Sequence, residues 1–299
     1  MRHGKSSIRQ RLERVSAFLA PGKARALGSS HPKRHPKIAD LFLLSINLMS
    51  RVIVLFNQSG GVGKTTLTMN LGYALARRRH RVLLVDLDPQ ASLTTFMGLE
   101  PTELELTLYN ALLEDAELPI HKSIHRMDLA PANITLSVAE LELVSAFSRE
   151  SRLTAALAPF TEKYAYILID CPPSLGLLTV LGLTAATHIL VPIETEFKSY
   201  FGTGLLLDTV AKVRRHVNPQ LAFAGFVPMK FDKRRSQHTR TYEQMRRELN
   251  ELAPVFPPVP DSTLFPDAAE ERVPFAAYKP KHPAVKVFSE IAKGIEKLG

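Results

Sequence analysis

The segment VIVLFNQSGGVGKTTLTMNLG, residues 52–72, sets Gly60, Gly61 and Gly63 ahead of Lys64, Thr65 and Thr66. Glycines leave backbone N–H groups uncovered, so such a loop can close around phosphate oxygens where a helix begins. Lys64 then reaches the outer phosphates, and the Thr65 hydroxyl is placed to ligate Mg2+. Ser59, Gly60, Gly61, Val62, Gly63, Lys64, Thr65 and Thr66 are therefore the expected nucleotide contacts. The pattern G-x-x-x-x-G-K-[ST] would need glycine at position 58, where the chain has Gln58, so the loop is a deviant form. A glycine-rich turn without a ligand is the competing reading; a strand before the loop, a helix after it and Lys-Thr-Thr in place argue against it.

Two acidic strand ends add the complementary chemistry. In LLVDLDPQAS, Asp86 and Asp88 close one apolar run, and in YILIDCPPS Asp170 closes another. Ligands of open α/β sheets bind beyond the carboxyl ends of the strands. An aspartate there is often only a cap or a turn residue, but beside the glycine loop the three suit a metal-bound nucleotide.

Those residues need a scaffold of buried strands. Apolar runs at 51–57, 81–88, 164–170, 187–194 and 223–229 are too continuous to be half exposed, and they read as parallel strands. Helical patterns lie between them at 64–78, 137–158, 174–186, 200–216, 237–252 and 283–298. The alternation predicts an α/β fold: a doubly wound, mostly parallel sheet with helices on both faces. The proline-rich stretch 254–266 reads as a loop that ends near the ligand.

Composition bounds the remaining classes. A chain of 299 residues, 45% hydrophobic and 22% charged, can bury a full core. The single Cys171 offers neither a disulfide nor a metal-ligand set, which points to a reducing, cytoplasmic compartment. No apolar run reaches the roughly 18 residues of a spanning helix, so no membrane partner is expected. The net charge of +9 is uneven: residues 1–48 hold ten Lys or Arg against Glu13 and Asp40, and the rest carries 28 basic and 27 acidic residues. Residues 1–48 therefore stand as a basic extension with three readings: a nucleic-acid arm, a targeting peptide, or upstream sequence from a misplaced start. The third is favoured because Met49 immediately precedes the first strand, which leaves residues 49–299 as the folded domain.

The stretches NQSGGVGKTT, VLLVDLDPQAS, LAPANITLSVAELEL, ILIDCPPSLGLLT and VPIETEF resemble the ParA/MinD family of deviant-Walker ATPases from about Arg51 onward. The resemblance implies Mg2+-dependent ATP binding, a face-to-face homodimer on ATP, and slow hydrolysis stimulated by a small adaptor protein that links to cargo. It implies Lys64 on the phosphates, Thr65, Asp86 and Asp170 around the metal, and Asp88 positioning the attacking water. It also puts adenine near Met229, Lys230 and the Pro260–Asp261 loop. The absence of an Asn-Lys-x-Asp motif favours ATP over GTP.

The departure is Ser59, where the family has a lysine that crosses the dimer to the partner's phosphates. Serine supplies no such charge. The carboxysome-positioning branch is known to lack that lysine, and PIETEFKSYFGTGLLL looks closer to it, so carboxysome positioning is the leading expectation, with plasmid or chromosome partition behind it. Lys198, just beyond the carboxyl end of the 187–194 strand, is the candidate substitute and is counted with Lys64 and Asp88 as catalytic; an ordinary surface lysine is the competing reading.

Basic clusters at Arg214 and Arg215, at Lys233, Arg234 and Arg235, and at Lys279 and Lys281 suit nonspecific DNA and a nucleoid-associated location. A solvated helix end is the plainer reading of any one of them. A MinD-like membrane helix is disfavoured because Val285, Phe288, Ile291, Ile295 and Leu298 form the apolar stripe of the final domain helix. The enzymatic rival is a P-loop small-molecule kinase or synthetase.

Overall fold

Alternate residues of the first strand enter two different cores, which is why its sequence is apolar throughout. The computed structural model describes residues 50–298; the basic extension, with its three readings, lies outside them. Val52, Val54 and Phe56 pack on one face of the sheet, and Ile53 and Leu55 on the other. Period-two side-chain alternation in a sheet covered on both faces requires this pattern.

In chain order the first half contains β1 (Arg51–Leu55), α1 (Lys64–Arg77), β2 (Val82–Asp86), α2 (Ser92–Phe96), α3 (Leu108–Leu113), β3 (His121–Ile124), β4 (Met127–Ala130), α4 (Leu136–Glu142) and α5 (Arg152–Leu157). The second half contains β5 (Tyr166–Asp170), α6 (Leu177–Ala185), β6 (His188–Glu194), α7 (Phe197–His216), β7 (Ala222–Met229), α8 (Ser236–Leu249), α9 (Leu264–Glu270), α10 (Phe275–Tyr278) and α11 (Pro283–Ile295). The sheet order is β3-β4-β2-β5-β1-β6-β7, parallel except for β3, which runs antiparallel to β4. Helices α3 to α8 cover one face; α1, α2 and α9 to α11 cover the other. All five expected strands are present, and the fold class is the expected one.

Two expectations need correction. The single helix over 137–158 is broken: α4 stops at Glu142, Ala146 is extended, Ser148 is left-handed at φ 50, and α5 restarts at Arg152. Leu143 and Leu153 are both fully buried. Neither an extended Ala146 nor a left-handed Ser148 can continue an α-helix, so the run splits there while both leucines stay in the core. The β3–β4 hairpin escaped the reading altogether. Its turn residues His125 and Arg126 sit at φ 49 and 68, a conformation that Asn-Gly would have advertised and His-Arg does not.

The loop reading of 254–266 holds up to Thr263, after which α9 begins. Its prolines serve the sheet edge. Phe226 N–H donates to Pro254 O at 2.8 Å, Phe256 N–H to Phe226 O at 2.8 Å and Val259 N–H to Pro228 O at 2.8 Å. The segment thus covers the outer edge of β7, where residues without an N–H are tolerated.

Candidate nucleotide site

The glycine loop bridges the carboxyl end of β1 and the start of α1, and Asn57 fixes its entry. Asn57 Nδ2 donates to Pro192 O at 2.7 Å, and Asn57 Oδ1 accepts from Ser59 N at 2.9 Å. Gly63 caps α1 at φ 93, and a Cβ there would lie 2.9 Å from Met229 Cε. Backbone conformation and space both demand glycine. The first intrahelical bond runs from Leu67 N–H to Gly63 O, so the N–H groups of Lys64, Thr65 and Thr66 face out of the helix end.

Lys64 is buried, and its Nζ donates to Asn57 O at 2.9 Å and Ser59 O at 3.1 Å. Burial lowers its pKa, and the nearby Asp170 partly offsets this. The ammonium is thus held inside the curl of the loop by neutral carbonyls, a costly placement that an anionic ligand would relieve.

Strand register brings the two carboxylates together. β5 lies between β1 and β2, with Asp170 level with Asp86 on one side and Leu55 on the other. Both aspartates are buried. Asp86 Oδ2 accepts from Thr94 N–H at 2.8 Å and from the Thr94 hydroxyl at 2.7 Å. Asp170 Oδ1 accepts from the Thr68 hydroxyl at 3.3 Å, whereas its Oδ2 is buried without a partner. Burial pushes Asp86 up to about 6 and, with the Asp86 charge beside it, Asp170 up to about 8; hydrogen bonds from Thr94 and Thr65 oppose the rise. Asp88 is half-buried, follows Asp86 by two residues and accepts from Gln90 N–H at 3.0 Å.

These residues fit a magnesium-bound nucleotide. The orphaned Asp170 oxygen beside a second buried carboxylate is a place that a cation would satisfy, and Thr65 stands in the first turn of the adjoining helix. Among the described residues no group of three His, Cys, Asp or Glu could hold a metal ion unaided. That suits Mg2+, which one or two carboxylates and substrate phosphates commonly hold together. Cys171, next to Asp170, is buried, and its thiol is pushed up by that burial; it packs against Gly182, where a Cβ would approach Sγ to 2.8 Å.

The region expected around adenine is assembled at the same edge. Met229 ends β7 against the glycine loop, Phe231 and Pro260 form a parallel bridge, and Asp261 N–H donates to Phe231 O at 3.0 Å. Lys198 is exposed in the first turn of α7. Gln58 Nε2 contacts Gly202 O at 3.3 Å, and Lys198 lies one turn earlier on that helix face.

The basic clusters stand apart. Lys233, Arg234 and Arg235 are exposed on the loop after β7, where Arg234 pairs with Asp232 at 2.9 Å and helps hold that carboxyl down to about 2. Arg214 and Arg215 end α7 at the opposite edge of the sheet, and the Arg214 Nε is buried without a hydrogen-bond partner. Lys279 and Lys281 lie between α10 and α11. The sequence reading missed Asn57, Thr68 and Thr94, which orient the site, and the Lys230–Glu194 ion pair at 2.5 Å beside Met229. No spacing rule singles out a threonine eight residues after an aspartate.

A family model described as an AAA domain matches residues 50–223. The sporulation initiation inhibitor protein Soj of Bacillus subtilis is 37% identical over 255 residues, covering 84% of this chain and 100% of Soj. The chromosome partitioning protein ParA of Myxococcus xanthus is 40% identical over 203 residues, covering 66% of this chain and 71% of that protein. Among solved structures, cobyrinic acid a,c-diamide synthase from Mycobacterium smegmatis with bound ADP and magnesium is 35% identical, with a TM-score of 0.72 over 82% of this chain and 93% of that one. A Cyanothece McdA variant in complex with ATP superposes with a TM-score of 0.75 over 84% and 98% of the two chains, at 23% identity, a likeness of fold alone. No described helix is long and apolar enough to cross a membrane. The glycine loop, the paired aspartates and these relatives agree: the chain belongs to the ParA/Soj family of AAA-domain ATPases.

Proposed function

We propose that this chain binds ATP with Mg2+, hydrolyses it, and uses the cycle to form and dissolve a homodimer on nonspecific DNA during partition. One observation carries the reading: the buried Asp86–Asp170 pair, with an unpartnered oxygen, lies beside Lys64 and an open glycine-lined helix end. Lys64 and the loop N–H groups hold phosphates, Thr65, Asp86 and Asp170 serve the metal, and Asp88 orients the attacking water. Bound Mg2+ supplies charge neutralisation on the phosphates. The ADP and magnesium of the mycobacterial synthase support this cofactor assignment.

Segregation of DNA ranks ahead of carboxysome positioning here, because the partition relatives share far more sequence than McdA does. The carboxysome reading retains Ser59 in its favour. In either case a small adaptor stimulating hydrolysis and a cytoplasmic, nucleoid-associated location belong to the proposal. The test is retention on nonspecific DNA with and without ATP. Retention should need ATP and fall steeply with salt, and Arg234→Glu with Arg235→Glu should weaken it for all sequences alike. Turnover of a small-molecule phosphate acceptor with no dimer on ATP would favour the kinase class instead.

Asp88→Ala should leave ATP binding intact and lower hydrolysis by about a hundredfold or more, since a positioned water is lost while the phosphate cradle is untouched. ATP-bound dimer should accumulate on a sizing column. Hydrolysis at the parental rate would move water positioning to another residue.

Lys198 is assigned the charge that Ser59 lacks. What supports this reading is its position one turn before the Gly202 that Gln58 contacts, with its side chain exposed. Lys198→Ala should abolish ATP-dependent dimerisation while ATP binding through Lys64 persists. A dimer of parental stability and turnover would reduce Lys198 to a solvated surface lysine.

A further inference from the structure

Helix α4 is apolar on both of its sides. Leu136, Ala139 and Leu143 enter the core, while Ile134, Val138, Leu141 and Val144 line the opposite side in solvent. Phe147, in the break before α5, and Leu175, in the loop between β5 and α6, are exposed as well, and the six range from 43% to 95% exposed. Single exposed hydrophobes are ordinary, but a helix that is apolar all round is ordinarily covered all round.

This outer face belongs to the same edge of the sheet as the nucleotide site. α4 follows the carboxyl end of β4, and β4 lies three strands from β1 in the sheet, about 14 Å away. The face therefore flanks the glycine loop without covering it. Two contacts tie it to the paired carboxylates. Ala132 N–H, on the way into α4, donates to the Thr94 hydroxyl at 2.9 Å, and that hydroxyl donates to Asp86 Oδ2 at 2.7 Å. The Glu140 carboxylate lies against Gly176, in the loop that leads from Asp170 into α6, so closely that a Cβ at Gly176 would overlap it.

Charge around the face selects its partner. Residues 131–148 contain Glu140 and Glu142 and no Lys or Arg, and at about 100° per residue the two acids fall on opposite margins of the exposed stripe. Partial burial and the charges of Glu142 and Glu114 beside it push the Tyr109 hydroxyl up, which places a third acid at this margin. The next cations along the chain are already paired: Arg149 with Glu150 at 3.3 Å and Arg152 with Asp115 at 2.5 Å. A nucleic acid or an anionic membrane would meet charge of its own sign. Two copies packed through this face would set the acids of each against those of the other. The complement that remains is a helix with apolar residues at three-and-four spacing, bordered by Lys or Arg. We infer that the outer face of α4, continued by Phe147 and Leu175, docks a basic amphipathic helix of another protein and couples its occupancy to the Asp86–Asp170 pair. The coupling rests on the nucleotide reading above; the docking does not.

The probe is a labelled synthetic peptide of about 18 residues, Leu at three-and-four spacing and Lys elsewhere, and its control carries Glu in place of every Lys. Fluorescence anisotropy with the full chain, without nucleotide, reads the docking. The basic peptide should bind at least about tenfold more tightly than the acidic one. Val138→Ser with Leu141→Ser, and separately Phe147→Ser with Leu175→Ser, should each weaken it by about tenfold. All four side chains are exposed, so the fold is spared, and circular dichroism checks each variant. With ATP and Mg2+ present, the basic peptide should raise hydrolysis at least about threefold, and Glu140→Gln should keep most of the binding and lose most of that rise. Equal affinity for the two peptides, or parental affinity in both pairs of variants, overturns the docking. So does loss of the ATP-dependent dimer in Val138→Ser with Leu141→Ser, which would make the occupant a second copy, or binding of phosphatidylglycerol vesicles in place of the peptide. Docking with hydrolysis unchanged overturns the coupling. A chain that docks the peptide but binds no ATP would count against the nucleotide reading and leave the docking surface standing.

Discussion

Lys64→Ala should lower ATP affinity by at least about a hundredfold while leaving the protein folded. The two halves of this expectation have different causes. In the folded chain the Lys64 ammonium is buried and bonded only to the carbonyls of Asn57 and Ser59. Removing it takes donors from two acceptors, which costs about 1–3 kcal/mol for each one left unsatisfied. It also removes a buried cation whose desolvation already lowers its pKa, so the two effects oppose each other and stability changes little. Nothing offsets the loss toward the ligand, because Ser59 offers no charge and Lys198 is exposed rather than folded into the loop. Calorimetric titration with ATP and Mg2+ checks the affinity, and thermal unfolding checks the fold. Parental affinity in the variant would mean that the phosphates do not sit in the glycine loop.

How much of this was readable in the sequence depended on whether a residue's role is local. Gly63 announces itself because a left-handed helix cap facing Met229 leaves one residue type, and the Lys-Thr-Thr that follows fixes the direction of the helix. Asp86 and Asp170 were legible as strand ends. Their meeting was not: it depends on β5 slipping between β1 and β2, a pairing of strands distant in sequence. Thr68 was invisible for the same reason, since its role is defined by Asp170, far away in sequence; Thr94 lies only eight residues past Asp86, but no motif marks that spacing. The broken helix at 137–158 shows the converse failure. Its residues have good helical periodicity, but the chain turns at Ala146 and Ser148, where no glycine or proline marks the break.

Asp170→Asn should stabilise the nucleotide-free protein and, in the same molecule, lower Mg2+-dependent hydrolysis by about a hundredfold or more. The amide is nearly isosteric and cannot ionise, so the cost of burying a charge there and, after it, the repulsion from Asp86 disappear, while a ligand for the metal is lost. The pH dependence gives the sign. Asp170 is raised to about 8 and Asp86 to about 6, both above the unfolded value near 3.9. Between those limits the folded chain holds more protons than the unfolded one, so stability is greatest below about pH 4 as far as this pair is concerned and declines as pH rises toward 8. In Asp170→Asn the decline between about 6 and 8 should vanish, leaving only the Asp86 part at lower pH. Saturating Mg2+ and ATP should flatten the parental curve in the same range, because a bound cation stabilises the ionised pair. Unfolding temperature against pH, with and without Mg2+ and ATP, checks all three curves. A parental protein whose stability rises from about pH 6 to 8 would show that the carboxylates are not strained against each other. Opposite movement of stability and activity at one buried atom is expected of a site whose charge suits a cation rather than the empty fold.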